Sequence, residues 1–183
     1  MLELPKNFGL NRLRAALKQV KNRRTAIDIG AHKGIWTKKM MEEFDSVYSF
    51  EPVEDNFRVL KEINCNSFQV ALGDNSDWSH LMWGDNTGMY HIADEGLPCI
   101  IKPLDTYKIP SVDFIKIDVE GYELHVLIGA QETINNYHPD ILLEENGLTG
   151  RYGYSHDDLW EHMDKLGYKN TGRWQDDYLW TVK

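Results

Sequence analysis

Two stretches of this chain combine acids with glycines at spacings suited to holding a small ligand. The first is Thr25-Ala26-Ile27-Asp28-Ile29-Gly30-Ala31-His32-Lys33-Gly34. Ala26, Ile27 and Ile29 predict a short buried strand, the glycines end it in a tight turn, and a helix is expected to open at Gly34 or Ile35. Such a unit brings backbone N–H groups and a positive helix end towards whatever binds above the sheet edge. Nicotinamide and flavin proteins usually place glycines as G-x-G-x-x-G, so that backbone approaches a pyrophosphate. The corresponding positions here are Gly30, His32 and Ile35, and only the first is glycine. An acid two residues before the turn would repel a pyrophosphate, whereas it can hold an ammonium group or its ordered water. The spacing favours a ligand with an amino-acid tail, such as S-adenosylmethionine.

The second stretch is Val112-Asp113-Phe114-Ile115-Lys116-Ile117-Asp118-Val119-Glu120-Gly121. It reads as a central strand with Asp118 at its carboxyl end. Glu120-Gly121 then opens a helix with Leu124, Leu127 and Ile128 on its inner face. In open α/β sheets the ligand lies at the carboxyl ends of strands, so both acids converge there; helix capping is the plainer use of either. Ser46 to Glu51 is a further strand, stopped by Pro52. Glu51 follows Asp28 by 23 residues, the place of an acid that takes both ribose hydroxyls. That ribose is common to S-adenosylmethionine and NAD, so the glycine spacing makes the separation. Ser67 to Leu72 reads as a third strand ending in Gly73-Asp74. There an acid or a carbonyl takes an adenine amino group, or Asp74 serves as a turn residue. Pro139 to Asn146 is a fifth strand with Glu144 and Glu145 at its exit.

The elements that must position these groups follow from the rest of the chain. At 183 residues it is long enough for one domain burying roughly 70% of its unfolded surface. A net charge of −9 argues against a nucleic-acid-binding surface over most of the molecule. Six of the 20 cations nevertheless lie between Arg12 and Arg24. There Leu10, Leu13, Leu17 and Val20 mark one face of a helix. Residues 1–24 are therefore expected to form a basic helix packed on a single Rossmann-like domain, 25–183. Cys65 and Cys99 match no metal or redox spacing and read as buried thiols in a reducing compartment. No apolar run approaches about 18 residues. A cytoplasmic protein without stable membrane insertion is expected.

Trp36, Met40 and Phe44 mark a helix after the glycine turn, and Val53, Phe57 and Leu60 a second. Residues 75–103, with Trp78, His80, Trp83, Tyr90, His91 and glycines 84, 88 and 96, predict a β-rich excursion. Its aromatic faces would suit a ring-bearing acceptor or serve only as hairpin packing. Ser155-His156-Asp157-Asp158 is N-cap chemistry for a helix through Leu159, Met163 and Leu166. Residues 167–171 and 178–182 form a closing antiparallel hairpin. The expected fold is α/β: a seven-stranded, mostly parallel Rossmann-like sheet with helices on both faces and a C-terminal hairpin.

Several blocks occur together and in order: Asp28-Ile29-Gly30-Ala31-His32-Lys33-Gly34, Phe50-Glu51-Pro52 with Asn56-Phe57, Val70-Ala71-Leu72-Gly73-Asp74 and Pro103-Leu104-Asp105. Phe114-Ile115-Lys116-Ile117-Asp118-Val119-Glu120-Gly121-Tyr122-Glu123 and Leu127-Ile128-Gly129-Ala130 complete the set. The set resembles the FkbM-type methyltransferases, class I enzymes that use S-adenosylmethionine. The chain departs from that pattern at His32 and Lys33, where such proteins often carry Asn and a small or apolar residue.

The resemblance implies methylation of a hydroxyl on a sugar or natural-product acceptor. It places Asp28, Gly30, His32 and Gly34 at the methionine end of the donor. Glu51 serves the ribose and Ala71 with Asp74 the adenine, and Ala31, Pro52 and Asn56 complete the cofactor-binding set. Asp118 faces the sulfonium side or the methionine amino group. Of the candidate catalytic acids, Glu120 is the first choice as general base and Glu144 the second. No zinc cluster or catalytic triad assembles from the seven dispersed histidines, so no metal is expected. A non-catalytic module with a degenerate acceptor site and an NAD-dependent oxidoreductase are the rival readings. The oligomeric state is not legible.

Overall fold

The computed structural model describes residues 9–83 and 90–183. In chain order the first elements are α1 (Leu10–Leu17), β1 (Thr25–Ile29), α2 (Ile35–Met41), β2 (Ser46–Phe50), α3 (Glu54–Leu60) and β3 (Asn66–Phe68). Four short strands follow: β4 (Ala71–Leu72), β5 (Asp77–Met82), β6 (His91–Ala93) and β7 (Leu97–Lys102). The remainder is β8 (Val112–Ile117), α4 (Glu123–Gly129), α5 (Gln131–Tyr137), β9 (Asp140–Glu144), α6 (His156–Lys165), β10 (Tyr168–Trp174) and β11 (Asp177–Val182).

The main sheet has seven strands in the order β10-β11-β9-β8-β1-β2-β3. The pairs β9–β8, β8–β1, β1–β2 and β2–β3 are parallel, and β11 runs antiparallel to both β9 and β10. The sheet is thus mixed, with a parallel centre and one reversed strand. The chain leaves β1 towards β2 and β3, then returns to the other side of β1 at β8. That reversal opens a crevice at the carboxyl ends of β1 and β8.

Successive strand residues alternate between the faces. Ala26, Phe114, Leu142 and Leu179 pack with Leu13 and Leu17 of α1 and Met40 of α2. Their neighbours Ile27, Ile115, Ile141 and Tyr178 pack on the other face with Leu127, Ile134 and Leu159 of α4, α5 and α6. Helices therefore cover both faces, which is why β1 and β8 are buried at every position. The same alternation puts Asp28, Lys116, Glu144 and Asp177 on the α1–α2 side, at or near the strand exits.

The N-terminal helix is shorter than its periodicity suggests: α1 stops at Leu17, although Val20 is still buried beyond it. Residues 1–8 of the expected 1–24 segment lie outside the described residues, as do Gly84 and Gly88 of the excursion. Ser155 closes a capping box with Asp158 at the start of α6, as its sequence indicates.

Three expectations are corrected. Ser67 to Leu72 is not one strand. Gln69 and Val70 carry the chain out of the main sheet after β3, and β4 pairs in parallel with β7. A second, four-stranded sheet, β4-β7-β5-β6, is thereby built from the β-rich excursion. An apolar run cannot reveal which of two sheets will claim it. Ile128 is exposed rather than on the inner face of α4. Phe44 packs in the core just beyond the end of α2 rather than on it.

The second sheet is held to the first by α4. A Cβ on Gly129 would lie 1.8 Å from the Gly73 carbonyl oxygen, at the exit of β4. Gly129→Ala is expected to cost about 1–3 kcal/mol by forcing these backbones apart. Urea unfolding would measure it, and a loss below about 0.5 kcal/mol would contradict this close approach.

Candidate functional site

The glycine turn forms where β1 meets β2. Gly30 takes φ 74°, and a Cβ there would collide with the Asp118 carbonyl oxygen at 1.8 Å, so only glycine lets the β1 and β8 exits close up. His32 takes φ 50°, a region that Asn, Asp and His enter more readily than other side chains. The amides of this turn are already in use. Gly30 and Ala31 N–H both donate to the Phe50 carbonyl at 3.0 Å, and His32 N–H donates to Glu51 Oε2 at 2.8 Å. The turn thus offers none of these three donors to an anion, against the expectation that its N–H groups would face a ligand.

Glu51 is buried at the exit of β2. Its Oε1 accepts from Val53 N–H at 2.9 Å and from Asn56 Nδ2 at 3.4 Å. Burial pushes its carboxyl up to about 7, and these hydrogen bonds with the more distant Lys116 moderate the rise. Pro52 is half-buried beside it and Asn56 is buried. Glu51, Asn56 and His32 are therefore one hydrogen-bonded group. Gly34 precedes α2 and packs under Ile63 and Leu60.

Asp28 lies beneath this group with no exposed surface. Its Oδ2 accepts from Thr37 Oγ1 at 2.6 Å, and its Oδ1 lies 3.4 Å from Lys116 Nζ. Lys116, opposite Asp28 in the β1–β8 register, also lies 3.4 Å from Asp118 Oδ2. Burial works against the ammonium, yet Asp118, Asp28 and Glu144 together hold it above the ordinary lysine range.

Asp118, Glu120 and Glu144 come together at the exits of β8 and β9, each half-buried, with carboxylate oxygens within 4.8 Å of one another. Burial, and then the Asp118 charge, push Glu120 up to about 7 and Glu144 up to about 10. Glu120 itself stands at φ 59°, an uncommon conformation for a residue with a side chain. Glu123 holds that bend by accepting from Val119 N–H at 3.2 Å and Gly121 N–H at 3.1 Å. The Glu120 carbonyl accepts from Arg151 Nη1 at 3.0 Å. Lys116 is shared between Asp28 and Asp118, so three carboxyls this close cannot all ionise without a further positive charge among them. A sulfonium, an ammonium or a metal ion would each supply one. The expectation of no metal considered the histidines; this carboxylate set is a separate group of possible ligands, assembled from two strand exits.

The other assignments fall elsewhere. Ala71 is buried in β4 of the second sheet, and Asp74 pairs with His125 of α4 at 2.9 Å. Neither joins the Glu51 hydrogen-bonded group or the carboxylate trio. Lys116, Thr37, Glu123 and Asp177 were not singled out as site residues. Asp177 lies opposite Glu144 in register and is paired with Arg12 of α1. The Arg12 guanidinium also lies 5.7 Å from the Trp36 ring centre. Alternation along the strands was the available signal for Lys116 and Asp177.

Comparison with known proteins bears on this geometry. Residues 102–169 match the Methyltransferase FkbM domain, the family to which the motifs point. No curated protein matches the chain in sequence. Among solved structures, Methyltransferase FkbM from Methylobacillus flagellatus KT superposes with a TM-score of 0.61 at 19% identity, over 90% of this chain and 45% of that one. The chain thus spans less than half the length of that protein. A SAM dependent methyltransferase from Archaeoglobus fulgidus gives 0.57 at 15% identity, over 90% and 70% of the two chains. An rRNA methylase from Streptococcus thermophilus gives 0.56 at 11%, over 100% and 99%. At these identities the structures share the fold.

Burial raises Glu51, Glu120 and Glu123 to about 7. A carboxyl with a raised folded-state pKa weakens the fold as pH climbs from its unfolded value to its folded one. His162, lowered by burial, acts in the opposite direction, but Glu144, raised to about 10, and Asp177, raised to about 6, add to the three carboxyls. The melting temperature is expected to fall between pH 5 and pH 8, as scanning calorimetry would show. A rise across that window would mean these carboxyls are ionised in the fold at neutral pH.

Proposed function

We propose that the protein is an S-adenosylmethionine-dependent methyltransferase of the FkbM type, acting on a hydroxyl of a sugar or natural-product acceptor. The observation that carries this reading is the carboxylate trio beside a turn whose Gly30, Ala31 and His32 amides are already bonded. Such a crevice suits a cationic ligand and gives a pyrophosphate nothing at those three amides, which sets it against the nicotinamide alternative.

When bound, the donor supplies a methyl group already activated by the sulfonium charge. The chain's residues then have three tasks. Glu51, fixed by Asn56 and the His32 amide, accepts from the ribose hydroxyls. Asp118, paired with Lys116, faces the donor's positive end. Glu120 takes the proton of the attacking hydroxyl, and a carboxyl near 7 is suited to that exchange at neutral pH. Burial and the Asp118 charge favour the protonated form of Glu144 more strongly than that of Glu120, so Glu120 is preferred as base. Holding the hydroxyl oxygen about 3–3.5 Å from the methyl carbon and in line with the C–S bond supplies much of the remaining acceleration. The net charge of −9 favours a small-molecule acceptor over a nucleic acid.

Calorimetric titration of the wild type and Glu51→Ala with S-adenosylmethionine, S-adenosylhomocysteine and NAD tests the donor. Saturable binding of the two adenosyl-sulfur ligands, lost in the variant, is expected; NAD binding alone would overturn the assignment. A cation placed in the trio displaces protons, so affinity should rise as pH is raised from about 5.5 to 8. If the trio faces the sulfonium, S-adenosylmethionine shows a steeper rise than S-adenosylhomocysteine. Equal slopes place the trio at the methionine ammonium instead. With an acceptor found by screening, Glu120→Gln should cut turnover about 100-fold or more while donor affinity stays within about twofold. Equal loss of donor binding would move Glu120 to the donor site.

A further inference from the structure

One buried side chain joins the glycine turn to the carboxylate rim. Lys116 Nζ donates to the Gly30 carbonyl at 2.8 Å and to the Ile29 carbonyl at 3.3 Å. The same nitrogen stands 3.4 Å from Asp28 Oδ1 and 3.4 Å from Asp118 Oδ2. The Trp36 ring, from the helix that follows the turn, has its centre 5.5 Å away. These partners belong to β1, to the turn itself, to α2 and to the residue just beyond β8.

A buried lysine at the penultimate position of a central parallel strand calls for a reason. Its neighbours Ile115 and Ile117 are ordinary core residues, and an apolar side chain would avoid desolvating a charge. Packing alone therefore does not account for Lys116. An ammonium is compact, with three donors on a flexible stem, and can divide them between carbonyls and carboxylates lying in different directions. Its bonds to Ile29 and Gly30 fix carbonyls where the methionine end of a donor would lie. Its contact with Asp118 fixes the acid assigned to the donor's positive end.

We propose that Lys116 is a positioning residue that registers the glycine turn against the carboxylate trio, so that the amino-acid end of the donor is held in one geometry with the transferring group. This inference rests on the donor assigned above. Lys116 is buried beneath the crevice and acts through the Gly30 carbonyl and Asp118 rather than on the ligand.

The test compares two probes that share the adenosine and thioether portion and differ in the amino-acid end: S-adenosylhomocysteine and 5′-methylthioadenosine. In Lys116→Met, S-adenosylhomocysteine affinity should fall tenfold or more while 5′-methylthioadenosine affinity stays within twofold. A merely structural lysine would leave both affinities unchanged in the folded variant or weaken both alike, and either result overturns the proposal. If Lys116→Met gives no melting transition, Lys116→Arg serves in its place, because it keeps the charge facing Asp28 and Asp118. Its planar fork cannot reproduce the same division of donors, so S-adenosylhomocysteine should weaken severalfold with 5′-methylthioadenosine unchanged. Unaltered or parallel affinities in that variant would equally reject the role. A wild type that binds neither S-adenosylhomocysteine nor S-adenosylmethionine would instead remove the donor assignment, and this inference with it.

Discussion

Charge balance at the exits of β1, β8 and β9 and the start of β11 constrains this structure more than any other single requirement. Asp28, Asp118, Glu144 and Asp177 share one sheet face near these exits, and two cations, Lys116 and Arg12, are paired among them. Removing one partner of a buried ion pair costs about 3–5 kcal/mol, because the other charge is left without compensation. Burial and the Asp118 charge push Glu144 up to about 10, so the remaining imbalance favours uptake of a proton among these carboxyls. A site arranged in this way has a place for one more positive charge, and that is a property of the fold before any ligand is considered.

The parts of this arrangement legible in sequence were those carried by local pattern. The apolar run and glycines of 25–34 indicated strand, turn and helix, and Asp118 with Glu120 stood out at a strand exit. The hairpin at the C-terminus followed from alternation and turn chemistry. What could not be read was pairing between distant segments. Asp177 lies opposite Glu144 only because β11 docks against β9 in one register. Lys116 could be placed in a strand, but its contact with the Gly30 carbonyl depends on how β1 and β8 align. The division of 67–72 between two sheets likewise depends on β7, which appears some 30 residues later.

The glycine turn shows how one motif can carry opposite chemistry in related folds. In dinucleotide-binding proteins the turn amides face a pyrophosphate. Here Phe50 and Glu51 accept from Gly30, Ala31 and His32. The turn is tied to β2 rather than opened towards the crevice, and Asp28 beneath it adds negative charge. The same tie orders Glu51, so the residue assigned to the ribose is also one of the residues that shape the turn.

The pairing of Arg12 with Asp177 spans 165 positions in the chain. Asp177 belongs to the last strand, and Arg12 to the first helix described. One edge of the carboxylate rim is therefore completed by a strand that docks next to β9 against the direction of its neighbours. With β11 undocked, the acids of β1 and β8 would stand with one edge of the rim open, and Arg12 would lack Asp177. The charge balance of the rim thus depends on long-range docking of β11 and not on any local motif.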